Sequence, residues 1–213
     1  MTSPRILITG FSVFPGAPVN PTEKLIAALR DDPALLPPAA DIRLEVLPVE
    51  YAAMPGLLEK LGAEFAPDIA IHFGLSAKAT GFTLERLARN GIAANRADNS
   101  GVQPQTACIV DGAGDFASTL PLEAIEAVLG DAGLPVSWSD DAGGYLCNYI
   151  FYLSRSPDFP ALAPAISGFV HVPPLSGHDP DNPHAMALAD LVRGAALIVA
   201  ACAEAWQSGR AAA

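Results

Sequence analysis

The sequence predicts an α/β fold with a largely parallel sheet, because short β-rich runs alternate with helical patterns and most of the runs stop at glycine or proline. No linker, internal repeat or charge block divides the 213 residues, so one domain spanning residues 1–213 is expected. A hydrophobic content of 51% over that length is enough to bury one substantial core.

The elements follow in order. Arg5 to Thr9 is a short β-rich run ending at Gly10. Asn20-Pro21-Thr22-Glu23 then reads as an N-cap, a proline at the first helical position and a capping-box glutamate. Ile42, Leu44 and Val46 alternate with polar residues as a half-buried strand does, and Leu57 to Phe65 has a helical pattern. Pro67-Asp68 introduces a second core strand, Ile69 to Phe73, stopped by Gly74. Asn90 to Asp115, rich in Asn, Asp, Gly and Ala, predicts irregular or mobile structure. Pro121 to Leu129 predicts a helix with Gly130 at its end, followed by a strand over Pro135 to Trp138. Between Tyr145 and Leu153, Leu146, Ile150 and Leu153 recur at helical spacing, with Cys147 and Phe151 one turn apart on an adjoining face. Phe169 to Val172 is a strand, and the last helix is expected from about His184. Ligands of such sheets bind beyond the carboxyl ends of strands, so the loops at Gly10-Phe11, Gly74-Leu75 and His171-Val172-Pro173 are expected to converge.

Charge and cysteine usage exclude several classes. A net charge of −11, from 12 basic and 23 acidic residues, argues against a nucleic-acid partner, which clustered Lys and Arg would recognise. Three widely spaced cysteines, Cys108, Cys147 and Cys202, fit neither a disulfide framework nor a CxxC metal site. A reducing, cytoplasmic location is expected. The apolar run near the N-terminus is too short for a signal-peptide core, and the apolar stretch Ala185 to Trp206 carries Asp190, Arg193 and Glu204, unlike a membrane span.

Cys147 follows Gly143-Gly144 and opens an apolar helical segment. A cysteine in the first turn of a helix lies beside unpaired backbone N–H groups and the positive end of the helix dipole, which favours a thiolate. His171, at the end of a strand, is a candidate base. The plainer reading makes Cys147 a small buried hydrophobe. Gly143 and Gly144 either aim N–H groups at a developing oxyanion or merely form the turn before the helix. Spacing leaves the acid that would orient the imidazole open among Glu50, Glu85, Asp98, Asp140 and Asp141. His72, inside an apolar strand, reads as a core histidine. The segment His178 to His184 has metal-ligand residue types, but its two prolines read as a turn. Cys108 and Cys202 read as structural. Gly10 to Gly16 fits neither a dinucleotide fingerprint nor a P-loop. Phe11 and Phe14 either cover the core or form an apolar slot for a flat ligand.

Together these segments resemble the pyroglutamyl peptidase type I family of cysteine peptidases. The likeness rests on Thr9-Gly10-Phe11 with Phe14 and Asn20-Pro21, on Thr83-Leu84-Glu85-Arg86, on Gly143-Gly144-Tyr145-Leu146-Cys147-Asn148, and on Phe169-Val170-His171-Val172-Pro173, in the family's order. The resemblance implies a three-layer α/β/α sandwich and a triad of Cys147, His171 and Glu85, with Glu85 orienting the imidazole. It also implies a lactam pocket of Phe11, Phe14, Tyr145 and Leu146, with Asn20 supporting the loop or the lactam contact. It further implies N-terminally pyroglutamylated peptides as substrates, no cofactor or metal, and self-association, often as a tetramer. Two stretches depart from the pattern. Gly74-Leu75-Ser76-Ala77-Lys78-Ala79 replaces the Gly-Gln-Ala-Gly-Gly-Arg run of bacterial members, and the family's arginine near the oxyanion falls on Asn95, one residue before Arg96. A thiol amidase with an altered small substrate, or a non-catalytic ligand-binding protein, are the alternative readings.

Overall fold

β1 (Arg5–Phe11) is buried throughout except at its first residue, which is why its sequence is an apolar run rather than an alternation. In this computed structural model, which describes residues 3–93, 95–160, 162–178 and 182–211, β1 lies inside a six-stranded sheet. After it come α1 (Pro21–Asp31), β2 (Asp41–Leu47), α2 (Met54–Phe65), β3 (Ile69–Leu75), β4 (Phe82–Glu85), β5 (Leu87–Ala88) and β6 (Phe116–Ala117). The chain continues through α3 (Leu122–Asp131), β7 (Val136–Ser139), α4 (Leu146–Arg155), β8 (Ile166–Val172) and α5 (Leu188–Ala211).

The sheet order is β2-β1-β3-β8-β4-β7. The first four strands are mutually parallel, whereas β4 runs antiparallel to β8 and parallel to β7. Side chains alternate across a strand, so each face receives its own core. Ile6, Ile8, Ile69, Ile71 and Phe73 pack on α1, α3 and α5 through residues such as Leu25, Leu129 and Ile198. Leu7, Phe11, Ala70 and Phe169 pack on α2 and α4 through Leu58, Leu61, Ile150 and Phe151. The architecture is the three-layer α/β/α sandwich with a mostly parallel sheet. No helix among the described residues is long and apolar enough to cross a membrane.

Several local expectations are corrected. Helix α2 starts at Met54, three residues earlier than its apolar pattern suggests, and α3 continues through Gly130 to Asp131 before the chain turns at Gly133 (φ 69°). Helix α5 starts at Leu188 rather than near His184: Met186 bridges Leu175, with Ser176 N–H donating to Met186 O, and this extended pairing holds the preceding residues out of the helix. Asn20 caps α1 by accepting from Thr22 N–H, not from Glu23, and among the described residues Glu23 makes no reciprocal capping-box bond. The stretch 90–115 has no helix or strand among its described residues, yet side chains pin it. Asn90 Nδ2 donates to Val110 O and Ala113 O, and its Oδ1 accepts from Ile109 N–H and Val110 N–H. The proposed turn between His178 and His184 lies partly outside the described residues.

His72 is a core histidine, fully buried on the α4 side of β3, with Nδ1 2.8 Å from the Thr9 hydroxyl of β1. Burial alone lowers its pKa to about 3. Its folded pKa lies below the unfolded value, so between pH 6.5 and about 3 the unfolded chain binds the extra proton and stability falls with pH. The expected loss is about 2 kcal/mol between pH 6.5 and pH 4.5. Denaturant melts across this range should show the slope for the wild type and a flatter one for His72→Gln; equal slopes would refute the assignment.

Candidate active site

The antiparallel junction of β4 with β8 builds the centre of the site. Thr83 lies opposite His171 and Glu85 opposite Phe169, so Glu85 and His171 share a face as diagonal neighbours. Glu85 Oε1 is 2.7 Å from His171 Nδ1, and both residues are buried, Glu85 at 1% and His171 at 7% exposure. Cys147 lines the same cleft, and its thiol interacts electrostatically with the imidazole. Burial disfavours the imidazolium, but the interactions with Cys147 and Glu85 outweigh it and push the His171 pKa up to about 9. The three residues come from β4, the first turn of α4 and the end of β8.

Cys147 is the second residue of α4 and is partly buried. Tyr145 precedes the helix without a side-chain cap, and the first helix-type bond is Tyr149 N–H to Tyr145 O at 3.0 Å. The N–H groups of Leu146, Cys147 and Asn148 therefore have no backbone acceptor among the described residues, and they form a local anion-binding end. Gly143 (φ 80°) takes a left-handed turn into this end, and its own N–H is occupied by Asp141 Oδ1 at 3.0 Å. Gly144 O accepts from Ala93 N–H, which ties this turn to the irregular segment.

The thiol faces a cleft of about 500 Å³ that Glu85 and His171 also line. Phe11, Phe14, Asn20, Tyr145 and Leu146 all line it as well. Phe11 is the last residue of β1 and is 3% exposed, so it serves the core and the cleft wall together. Phe14 and Tyr145 stand 6.4 Å apart between ring centroids, and Tyr51 meets Tyr145 edge-on at 5.7 Å. Asn20 is buried and donates Nδ2 to Ser12 O, so it supports the loop between β1 and α1. The ends of β1, β3 and β8 converge here through Phe11, Leu75 and His171.

Among the other candidate acids, Asp98 accepts from Tyr51 N–H, Ser100 N–H and hydroxyl, and Val102 N–H, and so braces the loop after Arg96. Asp140 pairs with Arg86, and Asp141 lies 3.5 Å from Arg89. Neither these residues nor Glu50 bonds His171 among the described residues. Cys202 is buried on α5 and Cys108 is partly buried, away from the cleft lining. Among the described residues no cluster of His, Cys, Asp and Glu could hold a metal ion.

Two contributors were not read from the sequence. Asn148 is fully buried; its Oδ1 accepts from Arg89 N–H, and its Nδ2 donates to Arg89 O and Gly91 O, fixing the start of α4 to the chain after β5. A lone amide in an apolar helical run was the available signal, since buried polar groups find partners. Gly74, on β3 beneath the thiol, leaves no room for a methyl: a Cβ there would stand 2.9 Å from Cys147 Sγ and 2.5 Å from the Phe169 ring. Gly74→Ala is expected to lower turnover by about 10²-fold by displacing the sulfur from His171. Steady-state kinetics beside a thermal melt check this, and unchanged turnover in a folded variant would show that Sγ tolerates the shift.

Comparison with known proteins identifies relatives of the chain. A family model described as pyroglutamyl peptidase matches residues 4–205. The chain is 39% identical over 170 residues to a pyrrolidone-carboxylate peptidase of Pyrococcus furiosus, covering 79% of this chain and 80% of that protein. It is 35% identical over 193 residues to one from Streptococcus pyogenes serotype M3, covering 89% and 88%. Among solved structures it is similar to a mutant pyrrolidone carboxyl peptidase of Pyrococcus furiosus, with a TM-score of 0.86 and 34% identity over 94% of this chain and 99% of the other.

Proposed function

Since the chain belongs to the pyroglutamyl peptidase family, we propose that it hydrolyses the amide after an N-terminal pyroglutamyl residue through a thioester on Cys147. One observation carries the assignment of roles: a single buried imidazole bonds the Glu85 carboxylate at 2.7 Å and lines one cleft with a helix-start cysteine. A nucleophile, a base and a group that orients the base are the parts that acyl transfer through a thiol needs.

In the proposed reaction the Cys147 proton already rests on His171, and the thiolate attacks the pyroglutamyl carbonyl carbon. The oxygen that gains the negative charge is received by the open N–H groups at the start of α4. As the C–N bond breaks, the imidazolium gives its proton to the leaving amine. His171 then deprotonates a water, which attacks the thioester and releases pyroglutamate and the thiolate. Glu85 holds the imidazole by Nδ1 through both half-reactions. The lactam carries no ammonium, and the slot suits it: Phe11, Phe14, Tyr145 and Leu146 supply apolar walls, with Asn20 supporting the loop. The reaction uses no cofactor or metal. Free Cys108, Cys147 and Cys202 support a reducing, cytoplasmic setting, and self-association to a tetramer is a proposal resting on the family likeness alone.

The test is a pair of fluorogenic amides, pyroglutamyl and prolyl, incubated with the reduced protein. Release from the first alone supports the reading. Release from the prolyl amide at a similar rate, or binding of lactam without release, would reject it in favour of a broader thiol amidase or a binding protein respectively.

A further inference from the structure

The mouth of the cleft carries an unbalanced positive charge on an otherwise acidic protein. Arg96 and Lys78 line the cleft, and neither forms an ion pair with an acidic side chain among the described residues. The lining carboxylates are already engaged, Glu85 with His171 and Asp141 with Arg89. Asp98, two residues beyond Arg96, spends both oxygens on backbone N–H groups and the Ser100 hydroxyl. The Arg96 guanidinium is instead held by π-faces, 4.0 Å from the Tyr145 ring centroid and 5.9 Å from that of Phe14. Stacking positions the planar cation while leaving its N–H edge unspent, the state in which arginine receives a carboxylate.

The pyroglutamyl ring is neutral and its nitrogen is part of a lactam. Any charge that meets Arg96 in a bound substrate is therefore carried by the leaving peptide. We propose that Arg96, assisted by Lys78, is a specificity-determining residue that favours substrates whose leaving peptide bears a carboxylate close to the cleaved amide. The carboxylate is either the free C-terminus of a pyroglutamyl dipeptide or an acidic side chain. This inference rests on the proposed peptidase activity.

The experiment compares kcat/KM for three peptides: pyroglutamyl-alanine, its C-terminal amide, and the amide of pyroglutamyl-aspartate. Relative to the uncharged amide, the wild type is expected to favour at least one carboxylate-bearing peptide by about two- to fivefold at low salt, the upper part of the range of a solvent-accessible ion pair. The first and third peptides distinguish the two sources of the carboxylate. Arg96→Gln should bring the favoured ratio close to one, Arg96→Glu should invert it, and salt at about 0.5 M should compress it. A wild-type ratio near one for both acids would overturn the proposal while leaving the peptidase assignment intact. So would an equal fall for all three peptides in Arg96→Gln, which would place the guanidinium at the reacting carbonyl. Failure to cleave any of the three would overturn the peptidase assignment as well.

Discussion

Cys147→Ala is expected to lower turnover of a pyroglutamyl amide by at least about 10³-fold while leaving the fold intact. The side chain is partly buried and small, so truncation removes one sulfur from the cleft wall and little packing. What disappears is the proposed nucleophile, and no second thiol lines the cleft, since Cys108 and Cys202 lie outside it. Mass spectrometry of the wild type quenched during turnover should find the acyl group on the peptide containing Cys147, and the variant should carry none. Turnover above about one-tenth of wild type would remove Cys147 from its assigned role, because binding and oxyanion donors alone do not supply that rate.

Glu85→Gln is expected to lower kcat/KM by about 10³-fold and to change the shape of its pH profile, an effect that packing alone would not produce. With Cys147 beside it and Glu85 bonded to it, His171 has its pKa raised to about 9 against the opposing effect of burial. The raised value means that the imidazolium persists through neutrality and is lost as pH rises through about 9, so the wild-type rate should fall on that alkaline side. The stability that the charged histidine contributes is complete below pH 6.5 and disappears over the same alkaline interval. A neutral amide at position 85 removes one of the two groups holding the proton, so the limb should move to lower pH. A limb that stays in place, measured from kcat/KM between about pH 5 and pH 10, would show that Glu85 does not set the protonation of His171.

The legible and illegible parts of the chain divide on locality. The strands around Ile6 and Ile71 are central, and their burial on both faces writes a continuous apolar run into the sequence. The helix opening at Leu146 declares itself by spacing, as does its cysteine near the start. β4 was not read as a strand from pattern: it has four residues, and two of them, Thr83 and Glu85, are polar because they face the site rather than the core. Its direction depends on pairing with β8, far along the chain, and no local signal encodes that. For the same reason spacing left five acids equivalent, and the register of two strands separates Glu85 from the rest. The family resemblance chose the same residue from its neighbours Thr83, Leu84 and Arg86. The convergence of Phe11, Leu75 and His171 followed from the sheet rule, whereas the stacking of Arg96 on Tyr145 depends on a segment without regular structure.

The separation of 86 residues between Glu85 and His171 bears on how the protein comes to life during synthesis. When α4 has emerged from a ribosome, the cysteine is present but the strand bearing its base is still to be made. Ile166–Val172 lies between β3 and β4 in the sheet, so the one strand that links the two parts of the sheet also carries the imidazole. A truncated chain lacking β8 would therefore carry the proposed nucleophile without its proposed base.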